Sequence, residues 1–179
     1  MKIIYSFAKL GYEADYWMKE ISLSSTEEFQ IIPFNHSNYG EYKKAHRAQL
    51  LDNLYFEKNP LLMQLYKDIE QLIIEENADI LMVDTFSLYH PDFLKNLNIY
   101  KILRIGDGPM SAYDRDFAYL HAFDHILYHS PAYSEDLTMS EKLNYCGAKR
   151  IDFWSMGSFD ALRSKASKKV LFDNERSVD

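Results

Sequence analysis

Asp84 and His90 lie six residues apart in the chain, so a carboxylate and an imidazole could meet on one loop as a proton acceptor and its orienting partner. The same residues also have a structural use, because Asp84 can cap the turn after it and His90 can cap a helix that opens at Pro91. Asp107 stands between two glycines in Gly106-Asp107-Gly108-Pro109. It can face a ligand or simply form the turn. His121, His125 and His129 recur every four residues, the spacing of a metal ladder on one helix face. The segment from 125 to 129 reads as a strand, however, and on a strand such residues are ~13 Å apart, so no metal site is expected. Gly11 would let a ligand approach the backbone at the start of the first helix, or would only turn the chain. Cys146, the single cysteine, reads as a small apolar residue at a helix end.

Several chemistries are excluded by what the chain lacks. The first loop has one glycine where a dinucleotide fingerprint needs three. There is no phosphate-cradling G-x-x-x-x-G-K-[ST], no G-x-S-x-G elbow and no H-E-x-x-H. A lone cysteine allows neither an internal disulfide nor a cysteine-rich zinc site.

The elements that must position these residues follow from periodicity. Strands are expected at residues 2–7, 31–34, 79–84, 100–105, 125–129 and 151–154. Helices are expected at 12–22, 41–56, 60–77, 91–97, 114–123 and from Ser130-Pro131 to about 145. The helix from Pro60 is the clearest: Asn59 is its N-cap, Leu62, Leu65, Ile69, Leu72 and Ile73 form its apolar stripe, and Asn77 is its C-cap. Pro33 confines its strand to an edge or an end. This alternation predicts an α/β fold, a three-layer Rossmann-like domain whose mainly parallel sheet is flanked by helices. Ligands of such sheets bind outside the carboxyl ends of the strands. That rule nominates Gly11, Tyr12, Asp84, Gly108 and Ser130 for binding, and His90 and Asp107 for chemistry.

The chain has 179 residues and 47% hydrophobic content, ordinary for one globular domain. Its formal charge of −7 argues against coating nucleic acid. No apolar run is long enough for a transmembrane segment, the start lacks a signal peptide's pattern, and a cytoplasmic protein is expected. Tyrosine is abundant, 14 against 2 tryptophans, which suits packing and also suits stacking on sugars.

The stretch from Ile102 to Gly157, ILRIGDGPMSAYDRDFAYLHAFDHILYHSPAYSEDL followed by GAKRIDFWSMG, resembles the amino-terminal half of GT-B glycosyltransferases of the spore-maturation-protein type. Trp154-Ser155-Met156-Gly157-Ser158-Phe159-Asp160 is similar to the polar tail that ends this half. The opening MKIIYSF…GYE is similar to the family's first strand and acceptor loop. The family's usual Asp-Asp-Pro is Gly-Asp-Gly-Pro here. The resemblance implies an acceptor-binding domain over residues 1–160 and a linker over 161–179 toward a C-terminal GT-B domain. It implies a sugar or glycoconjugate acceptor on this half and a nucleotide-sugar donor held mainly by the other half, with no cofactor in this chain. On that reading the enzyme is a hexosyl-type transferase, and this half alone is inactive. His90 or Asp107 would be the base of an inverting enzyme. The alternative is a non-catalytic flavodoxin-like module that binds a ligand or regulates.

Overall fold

The computed structural model describes residues 1–40, 47–84, 88–106, 115–131 and 134–154. Six strands form one all-parallel sheet: β1 (Lys2–Phe7), β2 (Gln30–Asn35), β3 (Ile80–Asp84), β4 (Tyr100–Ile105), β5 (His125–Tyr128) and β6 (Ile151–Phe153). Their spatial order is β2-β1-β3-β4-β5-β6. Among the described residues the helices are α1 (Tyr12–Leu23), α2 (Ala48–Phe56), α3 (Pro60–Glu76), α4 (Pro91–Asn96), α5 (Asp116–Tyr119) and α6 (Met139–Tyr145). Short 3-10 turns occupy His36–Tyr39 and Leu120–Ala122.

The α/β class expected from the sequence is what the chain adopts. Side chains alternate across the sheet, so Ile4, Leu81, Val83, Leu103, Ile105 and Ile126 share one face. That face joins Leu51 of α2, the Leu62–Leu65–Ile69 stripe of α3, Leu94 of α4, Phe117 of α5 and Leu143 of α6 in one apolar cluster. The opposite face carries Tyr5, Phe7, Met82, Asp84, Ile102 and Arg104, and Phe7 packs there on Trp17 of α1 at 6.2 Å. The first crossover therefore runs on one side and the four later ones on the other, as right-handed connections require when the chain reverses direction across the sheet. The reversal falls between β1 and β3, and an open sheet forms its ligand crevice at such a switch point.

The helix ends follow the sequence closely in one case and depart from it in another. Asn59 caps α3, its Oδ1 accepting from the Leu61 and Leu62 amides, and Asn77 closes it in the left-handed conformation at φ 48°. Ser130-Pro131 does not open a helix. The helix begins eight residues later, where Thr138 and Glu141 form a reciprocal capping box that satisfies two amides at once. Asp116 to Ala122 is a single α turn continued as a 3-10 turn rather than one helix over 114–123. Within the expected helix 41–56, residue 47 is the N-cap of α2 and 41–46 lie outside the described residues.

Candidate functional site

The first loop is held open by the second strand. Asn35, at the end of β2, accepts from the Lys9 amide at 3.2 Å and donates to the Lys9 carbonyl at 2.8 Å. Gly11 then turns the chain at φ 60°, ψ −144°, a region that L side chains avoid, with open space where a Cβ would stand. Tyr12 starts α1 and is 84% exposed at the carboxyl edge of the sheet. The first turn of this helix carries two acids, Glu13 and Asp15, no side chain caps its amides, and Glu13 lies 3.7 Å from Lys9. An anionic ligand would have to compete with those carboxylates.

Asp84 ends β3 beside the switch point. Its carboxylate pairs with the Arg104 guanidinium on β4 and accepts from the Tyr5 hydroxyl on β1 at 3.1 Å. Burial opposes the charge on Arg104, but Asp84 outweighs it and raises the guanidinium pKa above its usual value. Burial, reinforced by the Asp84 charge, raises the Tyr5 hydroxyl, so Tyr5 stays a neutral donor. On its far side Arg104 lies over the Trp154 indole at 5.7 Å. Tyr5, Asp84, Arg104 and Trp154 thus form a line across the α1 face, from β1 to the residue after β6. Trp154 is 40% exposed.

His90 stands apart from this line. It packs among α2, α3 and α5 on the opposite face: its ring stacks on Tyr55 at 3.9 Å and lies 6.0 Å from Tyr119. Its Nδ1 accepts the Asp92 amide at 3.2 Å, so Nε2 carries the proton and donates to Asp52 Oδ1 at 3.1 Å. Both ring nitrogens are engaged, and the imidazole caps α4. The structure therefore does not bring Asp84 and His90 together as acceptor and orienting partner. The partner of Asp84 is Arg104, and that of His90 is Asp52, which also accepts from the Tyr119 hydroxyl at 2.7 Å. Asp52 was not singled out from the sequence, since nothing in its spacing links it to a residue 38 positions away.

Burial lowers the His90 pKa, and the Asp52 and Asp92 carboxylates oppose that shift only in part, with Lys95 adding to it. A histidine depressed in the fold keeps its proton better in the unfolded chain. Stability is thus expected to fall as pH drops through about 6.5 and to level off below the folded pKa. His90→Asn keeps a capping side chain and removes the titration. In urea unfolding at pH 7.5, 6.5 and 5.5, the wild type should lose stability relative to this variant on acidification. A constant difference would mean that His90 does not resist its proton.

Ser130, half-buried, lies two residues beyond the end of β5, two strands from the switch point. A cavity of about 320 Å³ opens in the segment just after it, lined by Pro131, Ser134, Glu135, Asp136, Leu137 and Thr138. Asp107 and Gly108 lie outside the described residues, as does the chain from 155 onward. The three-histidine ladder gathers no ligand set: among the described residues no group of three or more His, Cys, Asp or Glu is placed to hold a metal ion. His125 instead bonds Asp152 at 2.8 Å. Among the same residues no helix is long and apolar enough to cross a membrane.

No family model matches the chain, and no curated protein or solved structure matches it.

Proposed function

We propose that the chain is the acceptor-binding half of a sugar-nucleotide-dependent glycosyltransferase, with the acceptor held at the carboxyl ends of the strands. The observation that carries this reading is the β1/β3 switch point, flanked by Gly11 and Tyr12 on one side and by Asp84 on the other. Two features at this edge suit a sugar. Tyr12 and Trp154 are exposed aromatic faces for the apolar side of a pyranose ring. The Asp84–Arg104 pair offers fixed polar groups for hydroxyls. The two acids in the first turn of α1, Glu13 and Asp15, make that helix start poor ground for a diphosphate, in keeping with a donor held by a C-terminal partner domain.

A glycan array with this chain tests the reading. We expect binding to a subset of oligosaccharides, no measurable binding of nucleotide-sugar by this half alone, and at least about tenfold weaker glycan binding for Tyr12→Ala and Trp154→Ala, one tenfold being 1.4 kcal/mol. No glycan bound by the wild type would overturn it.

A second reading is favoured by the strand order, which is the doubly wound order 2-1-3-4-5 of flavodoxin-like domains with one more strand. On that reading the same edge binds a small ligand without turnover. Saturable binding of a free nucleotide or other small molecule, with no glycan bound, would select it.

A further inference from the structure

We propose that His129, and not His90, is the proton acceptor of this edge, taking the proton from the attacking hydroxyl of the bound acceptor; the assignment rests on the acceptor-binding reading above. The ring is oriented by a group that can only accept. Its Nδ1 lies 3.1 Å from the Ile105 carbonyl oxygen, so Nδ1 carries the hydrogen and the Nε2 lone pair is left for chemistry. Nε2 makes no hydrogen bond among the described residues, and His129 is half-buried rather than enclosed. No other histidine with a defined hydrogen bond combines these features. His90 has both nitrogens engaged, His36 is fully buried against Ser6, and His125 Nε2 is bonded to Asp152.

The position fits the role. His129 follows Tyr128, which pairs with Ile105 on one side and Phe153 on the other. The Trp154 amide donates to the Tyr128 carbonyl at 2.7 Å, closing the Tyr128–Phe153 pair, so His129 and Trp154 are the residues that follow the last pair of two adjacent strands. A sugar stacked on Trp154 would place a hydroxyl beside the imidazole. The step is a direct displacement. The acceptor oxygen forms a bond to the anomeric carbon of the nucleotide-sugar, the bond from that carbon to the diphosphate oxygen breaks, and the electron pair leaves with the nucleoside diphosphate. The hydroxyl proton passes to Nε2, giving an imidazolium whose Nδ1–H remains on Ile105. The configuration at the anomeric carbon inverts.

His129→Asn is the informative variant, because its amide can still donate to the Ile105 carbonyl. Diethyl pyrocarbonate, which acylates accessible neutral imidazoles, is the first probe, followed by peptide mass spectrometry. His129 should react faster than His90 and His125, and a glycan from the array should protect it. Transfer from UDP-glucose, UDP-galactose and GDP-mannose by the full-length protein is the second. There His129→Asn should lower kcat at least about 100-fold, leave the acceptor KM within about threefold, abolish the acidic limb of the pH–rate profile, and the wild-type product should be inverted. Unchanged kcat in the variant, or a His129 that glycan does not protect, overturns the assignment while glycan binding keeps the acceptor reading intact. A wild type that binds no glycan overturns both.

Discussion

Asp84→Ala is expected to lower the unfolding free energy by about 3 kcal/mol, at the low end for breaking a buried ion pair. Both partners are largely buried, with 10% of the Asp84 side chain and 18% of the Arg104 side chain exposed. Removing the carboxylate takes a counter-charge from Arg104 and an acceptor from the Tyr5 hydroxyl in one step. The loss therefore exceeds that of a surface pair, which contributes about 0–1 kcal/mol. Urea unfolding measures it as a lower midpoint at unchanged slope. The double variant Asp84→Leu and Arg104→Met should recover most of the loss, since an apolar pair of similar volume carries no uncompensated charge. A single variant within about 0.5 kcal/mol of wild type would show that water screens the pair as it does at a surface.

Ser6→Ala is expected to cost about 2–3 kcal/mol, although it removes one oxygen atom. Ser6 points away from α1, to the face it shares with Ile4 and Val83, where its hydroxyl lies 2.7 Å from Tyr89 Oη and 2.9 Å from His36 Nδ1. All three residues are wholly inaccessible to solvent. The hydroxyl can donate to one neighbour and accept from the other, a pairing that alanine cannot replace and that water cannot reach. Burial raises the Tyr89 pKa, so the phenol remains neutral and keeps its proton for this bond. A double-mutant cycle with Tyr89→Phe isolates the pair, and we expect a coupling of about 1 kcal/mol. A coupling near zero would place the cost of Ser6→Ala elsewhere.

These two sites show what could be read in the chain and what could not. β1 and β4 have the limits that their β-branched and aromatic runs predict, and α3 has the caps that Asn59-Pro60 and Asn77 announce. Such signals are local: a strand, a cap or an apolar stripe is written within a few residues. The expected helix at Ser130-Pro131 failed because a Ser-Pro pair is equally good at ending a strand, while the capping box at Thr138 and Glu141 was present in the sequence as S/T-x-x-E. The partners of the polar residues were not legible. Asp84 and His90 are neighbours in sequence, but one lies on the α1 face of the sheet and the other among α2, α3 and α5. Tyr5 and Arg104 reach Asp84 from 79 and 20 positions away through the strand register, and Asp52 reaches His90 from 38 positions away through the packing of α2. His129 drew notice only for its spacing from His125 and His121. The carbonyl that orients it belongs to Ile105, 24 residues earlier.

Pro33 sits within β2, the outermost strand on one side of the sheet, opposite Tyr5 of β1. A proline within a strand is accommodated with its ring nitrogen turned away from the neighbouring strand. The outer rim of β2 therefore has no amide hydrogen at its fourth residue of six. A strand from a second molecule laid along that rim would lose a ladder bond in the middle of the contact. The residue that marks β2 as a border strand thus also discourages the sheet from growing there into an aggregate.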